Sequence, residues 1–139
     1  MIFLDTNILV RLVTGDTPEQ AALVRKALER AEERGETFCV GLPVILETVW
    51  VLTNGYGFSR GEVSSLLLAM ATSERLEIEH LPSLLNAVSK YARAGDFADM
   101  LFVAHARLHE ARGFLSFDKK LKSLEPGLVL TPEEYCQAT

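Results

Sequence analysis

The sequence predicts an α/β fold, and three observations carry that expectation. Short apolar runs recur along the chain, "IFL" at the start, then "TFCVG", "LEIEHL", "FLSF" and "LVL", with helix-like segments between them. Ser, Thr, Pro and Gly stand at the junctions as start and stop signals. No linker, internal repeat or low-complexity stretch interrupts the alternation. Strands alternating with helices imply a parallel sheet covered on both faces, although strand order is not readable.

Taken in order, "IFL" is a short apolar strand and "NILVRLVT" a helical run. In "TPEQAALVRKALERAEERG", Thr17 is placed to cap a helix, Pro18 to open it, Gln20 to close a capping box and Gly35 to stop it. "TFCVG" reads as a strand, after which Pro43 opens a helix that ends near "TNGYG". Ser59 and Glu62 repeat the capping-box pattern at the head of "SRGEVSSLLLAMAT". "LEIEHL" alternates with period two, which marks a strand. A helix is expected from about Ser83 to Arg93 with Gly95 ending it, and another from "DFADM" to Arg112 ended by Gly113. "FLSF" and "LVL" are strands, and Thr131-Pro132-Glu133-Glu134 caps a terminal helix. Residues 53–75 carry no readable functional signal.

Composition bounds the function. A chain of 139 residues is expected to form one domain over residues 1–139, with a sizeable core. Hydrophobic content of 48% with 24% charged residues fits a globular protein. No apolar run reaches the ~18 residues of a membrane span, and no basic segment precedes an apolar one at the start, so a cytoplasmic location is expected. Cys39 and Cys136 lie far apart and are expected to be two unrelated buried thiols. A net charge of −5 argues mildly against a nucleic-acid partner.

The acids are not scattered. Asp5 follows the first strand, and Asp118 follows "FLSF". Asp99 falls in the first turn of its helix, with Asp96 three residues earlier. Glu47 stands inside "LPVILETVWVL", where its flanks place it in or beside apolar packing. A lone charge there would be costly or would neutralise, so a partner is required. In open parallel sheets the ligand crevice lies beyond the carboxyl ends of the strands. Four converging carboxylates would repel one another, and a hard divalent cation with oxygen ligands removes that repulsion. Two such ions can activate water and stabilise the leaving oxygen of a phosphodiester.

"FLDTNILV", Glu47 in its apolar helix, "GDFADMLFVAHA" and "LSFDKKL" resemble, in order and over nearly the whole chain, the motifs of PIN-domain ribonucleases. More narrowly they resemble the VapC toxins of toxin–antitoxin modules. The resemblance implies a three-layer α/β/α sandwich with a central, mostly parallel sheet. It implies endonucleolytic cleavage of RNA dependent on Mg²⁺ or Mn²⁺, a homodimer, and inhibition by a cognate antitoxin. By that resemblance Asp5, Glu47, Asp99 and Asp118 match the acidic metal-binding and catalytic positions, and Asn7 and Ser116 the polar positions that support them. The short apolar elements and the "SSLLLAMAT" face leave surface for such a partner.

Each residue also has a plainer reading. Asp5 in "DTN" is good helix-capping chemistry, and Asp96 reads better as a cap than as a ligand. Asp99 can complement a helix dipole, and Asp118 can be a turn residue. Glu47 can pair with Arg11. His105 and His109 stand four apart, a spacing that permits zinc, but no third ligand is placed to complete the site. The lone Trp50 reads as core and not as a base-stacking platform. Two other classes compete with a nuclease: a receiver-like phosphoacceptor, for which "LDTN" offers only one acid, and a non-catalytic interaction module. If RNA is the substrate, Lys119, Lys120 and Lys122 around Asp118, with Arg107 and Arg112 along the Asp99 helix, supply local positive charge.

Overall fold

In the computed structural model, which describes residues 1–138, the chain divides into two compact units, Met1–Leu81 and the residues from Pro82 onward. The first unit runs β1 (Ile2–Phe3), α1 (Thr6–Thr14), α2 (Pro18–Glu33), β2 (Phe38–Val40), α3 (Leu42–Trp50), a π-helical turn (Val51–Gly55), α4 (Arg60–Ala71) and β3 (Leu76–Ile78). Its three strands pair in parallel in the order β1-β2-β3, with Ile2 opposite Phe38 and Cys39 opposite Glu77. The middle strand "FCV" is buried at every position, as a strand covered on both faces must be. Leu9, Val40, Ile45, Leu52, Val63 and Leu67 close this core. Burial of each large side chain of this kind contributes about 1.5–3 kcal/mol.

The second unit holds α5 (Leu81–Tyr91), α6 (Phe97–Leu108), β4 (Phe114–Leu115), α7 (Lys119–Leu124), β5 (Val129–Leu130) and α8 (Pro132–Gln137). β4 and β5 pair in parallel, Phe114 opposite Val129. Leu84, Val88, Met100, Val103 and Val129 are its buried centre, and the Tyr91 and Phe97 rings meet edge to face at 5.5 Å. Every strand pairing is parallel and helices alternate with strands, so the α/β class stands. Among the described residues no helix is long and apolar enough to cross a membrane.

Several local expectations are corrected. Thr17 starts α2 without a side-chain cap, and Gln20, the other half of the expected box, instead accepts from Arg11 Nε at 2.7 Å through its Oε1. The capping boxes at Ser59/Glu62 and Thr131/Glu134 do form. α6 ends at Leu108, before Arg112, and Glu110, at φ +55°, turns the chain where a glycine was expected to do so. The "FLSF" strand shrinks to two residues, leaving Phe117 85% exposed ahead of α7, a helix not foreseen. The apolar α4 turns Val63, Leu67 and Met70 inward and leaves Leu68 outward. Cys39 is buried and free, but Cys136 is exposed.

The acid that is buried is Glu125, not Glu47. Its side chain is 8% exposed and accepts from Lys90 Nζ and from Arg107 Nη2, the latter at 2.9 Å. Burial pushes the Glu125 carboxyl up, but the Lys90 and Arg107 hydrogen bonds outweigh it and hold the group below the usual carboxylate range.

Candidate active site

The acids that the sequence singles out fall into two pockets, one within each unit. In the first, Leu4 N–H donates to Cys39 O at 2.9 Å, which places Asp5 at the carboxyl end of β1. Asp5 is extended (φ −85°, ψ 162°) and caps α1, its Oδ1 accepting from Thr6 N–H at 2.7 Å. Asn7 in the first turn of α1 and Glu47 in α3 line the same pocket of about 260 Å³, together with Arg11 and Tyr56. α1 packs on α3, and that packing brings the two acids to one cavity.

Glu47 is exposed, which corrects the expectation of apolar burial. α3 turns Leu42, Ile45, Thr48 and Val49 inward, with Leu52 following them, while Pro43, Glu47 and Trp50 face out. Trp50 is 65% exposed, so its reading as core also fails. Arg11 does not pair with Glu47. Beyond its bond to Gln20, its Nη1 lies 3.5 Å from Asp16 Oδ1. Tyr56 donates its hydroxyl to Asp16 Oδ2, and this bond lowers the Asp16 carboxyl and raises the Tyr56 phenol from their ordinary values. No hydrogen bond joins Asn7 to Asp5.

The second pocket, about 120 Å³, is lined by Asp96, Asp99, Asp118 and Lys120, among others. Asp96 caps α6, its Oδ2 accepting from Asp99 N–H at 3.2 Å. Asp118 caps α7, its Oδ1 accepting from Leu121 N–H at 3.0 Å, and its own N–H donates to Ser116 Oγ at 3.0 Å. Ser116 therefore fixes the backbone of Asp118 and not its carboxylate. Gly95 makes the turn into this pocket at φ +92°, where a Cβ would also come within 3.2 Å of Leu124 and Met100. Asp99 is half-buried. Its carboxyl is raised from the ordinary value, first by burial and then by the charges of Asp96 and Asp118.

Such crowding suits a hard divalent cation, and the donors are all oxygens. Among the described residues no group of three His, Cys, Asp or Glu gathers as a metal site. Mg²⁺, however, is commonly held by only one or two carboxylates, with water and phosphate completing its shell, so the pair Asp99 and Asp118 fits it. The zinc reading at His105 and His109 fares worse, as the two rings meet edge to face at 4.8 Å and no third ligand gathers with them among the described residues.

Of the basic residues, Lys120 lines the second pocket and Lys119 is exposed beside it in sequence. Lys122 is bound to Glu134 Oε2 at 2.8 Å and to Val129 O at 3.3 Å. Arg107 is committed to Glu125. Tyr56 and Gly95 were missed as pocket residues, whereas Arg11, named as a partner for Glu47, shares its pocket without pairing with it; "TNGYG" signalled only a helix end. A larger cleft of about 610 Å³ lies at the opposite ends of β2 and β3, between Glu32, Glu36, Phe38, Glu74 and Arg75, and holds none of the predicted site residues.

Comparison with known proteins adds two findings. A family model described as "PIN domain" matches residues 2–125. A VapC ribonuclease of Aquifex aeolicus (strain VF5) is 27% identical over 125 residues, covering 89% of this chain and 92% of that protein. No solved structure matches significantly.

Proposed function

Because the chain belongs to the PIN-domain family, a three-layer α/β/α fold, we propose that it is a metal-dependent endoribonuclease acting as the toxin of a toxin–antitoxin pair. The family match runs through both compact units, which supports treating residues 1–139 as a single nuclease domain. The similarity to a VapC ribonuclease supports RNA as substrate and a small antitoxin as partner. One observation carries the metal reading: Asp96, Asp99 and Asp118 line one small pocket, where half-buried Asp99 sits beside the other two carboxylates.

In this reading Asp99 and Asp118, with Asp5, offer hard oxygens to Mg²⁺ or Mn²⁺. The ion, when bound, supplies positive charge that acidifies water and balances the developing charge on phosphate. Glu47, exposed on its pocket, accepts the proton of the attacking water at its carboxylate or joins the ligands. Asp96 acts as a helix cap and Asn7 as a polar lining group. Lys119 and Lys120 bear on the phosphate backbone, whereas Lys122 already has Glu134 as its partner.

The test is cleavage of RNA with Mn²⁺ and with EDTA. Products with 5′-phosphate and 3′-hydroxyl ends, and no cleavage in EDTA, are expected. A 2′,3′-cyclic phosphate, or undiminished activity in EDTA, overturns the mechanism. Calorimetry showing no Mg²⁺ or Mn²⁺ binding favours the non-catalytic interaction module instead.

The antitoxin is expected to present an Arg or Lys to the acidic cluster, where a cation takes the place of the metal. The active form is a homodimer working in the cytoplasm, where its RNA and antitoxin are made. A monomer in light scattering at tens of micromolar, on the order of ordinary assay conditions, sinks the dimer. Co-expression with the neighbouring small gene that yields no complex sinks the antitoxin.

A further inference from the structure

Tyr56 is an aromatic ring in the wall of the pocket that holds Asp5 and Glu47. It is 39% exposed, yet it is firmly held. Its hydroxyl donates to Asp16, which also accepts from Thr14 Oγ1 at 3.2 Å and lies 3.5 Å from Arg11, itself fixed by Gln20. Side chains from α1, the following loop and α2 thus anchor a ring that stays open to solvent. The π-helical turn Val51–Gly55 lies between Glu47 and Tyr56. Such turns re-aim the residues that follow and concentrate at functional sites. Gly57, at φ +69°, bends the chain away immediately afterwards. Trp50, more exposed, does not line the pocket.

We infer that Tyr56 contacts the substrate, its ring stacking on a base next to the scissile phosphate. This rests on the nuclease reading above. Every base has a π-face, so stacking is tolerant of sequence but requires the base to be out of a duplex.

The experiment is steady-state cleavage of unfractionated tRNA, and of labelled hairpins with a randomised loop or a fully paired stem, in Mn²⁺. Tyr56→Leu is expected to raise KM on the order of tenfold on loop substrate with little change in kcat. Tyr56→Phe and Tyr56→Trp keep a stacking face and should restore KM. The Leu and Phe pair decides the matter even if Tyr56→Ala fails to fold. Equal KM for Leu and wild type overturns the inference, as does a Leu variant that changes subunit mass in light scattering and leaves KM alone. Asp99→Asn separates the two levels. Wild-type cleavage lost in Asp99→Asn, with KM indifferent to Tyr56→Leu, overturns this inference alone. No cleavage by wild type overturns the nuclease reading, and this inference with it.

Discussion

In the pocket of residues 1–81, two acids share their cavity with the Arg11 guanidinium and a neutral ring, and Glu47 stands in solvent. In the pocket of the second unit, Asp99 is half-buried between two further carboxylates and its pKa rises. Both use an Asp as a helix cap at the rim. The difference teaches where a cation is needed. The second sets three carboxylates against Lys120 alone, so metal affinity should depend most on Asp99 and Asp118, and less on Asp5 and Glu47.

The sharpest way to break this division is to remove one charge from each side. Asp99→Asn should lower cleavage by about 10²-fold or more and abolish the rise in melting temperature that Mn²⁺ gives. The metal-free variant should be equally stable or more stable by about 1 kcal/mol. Glu47→Gln should lower cleavage as severely but keep the Mn²⁺ response, with metal-free stability within about 0.5 kcal/mol of wild type. If Glu47→Gln loses the Mn²⁺ response and Asp99→Asn keeps it, the assignment is reversed.

Glu125 is the counterpart of Asp99 within the same unit, a carboxylate satisfied where the other is crowded. Glu125→Ala should cost about 2–3 kcal/mol in urea unfolding, since it strands Lys90 and Arg107, though both cations are partly solvated. The two acids also respond to pH with opposite sign. The Glu125 carboxyl is lowered from 4.5, so its contribution is present above that value and is lost as pH falls through the lower folded pKa. The Asp99 carboxyl is raised from 3.8, so its destabilising charge is present at neutral pH and disappears as pH falls through the raised folded pKa. Melts across the acid range should therefore show the Glu125→Ala deficit shrinking on acidification and the Asp99→Asn advantage shrinking as well. A pH-independent difference for either variant contradicts its assigned shift.

The smallest effect separates two caps that look alike in sequence. Ser59→Ala should cost about 1 kcal/mol, because its hydroxyl accepts from Glu62 N–H at 3.1 Å. Thr17→Ala should cost a few tenths of a kcal/mol, because Thr17 makes no side-chain cap bond. Equal losses in chemical denaturation would show that Thr17 caps α2 after all.

That pair also shows what was legible. A capping box is a local pattern and formed at Ser59 and Thr131; at Thr17 the glutamine instead accepts from a residue nine positions away. Strand–helix alternation and the positions of Asp5, Asp96, Asp99 and Asp118 were readable because each depends on its immediate neighbours. The burial of Glu47 was misread because "LPVILETVW" is apolar around much of its circumference, and composition does not say which stripe faces in. Trp50 misled for the same reason. Tyr56 was invisible because a π-helical turn has no periodicity to announce it. Glu125 pairs across 35 residues with Lys90, a separation that no local pattern encodes.

The use of aspartate as cap has an evolutionary consequence. Asp5, Asp96 and Asp118 each hold a helix start, and asparagine caps about as well as aspartate. A single G-to-A change turns an Asp codon into an Asn codon. Loss of the charge therefore need not bring loss of the fold. Under the nuclease reading, a lineage carrying this gene lies one step from an inactive copy that folds and keeps its surface, so such copies should arise readily at Asp5 and Asp118 and rarely at Glu125.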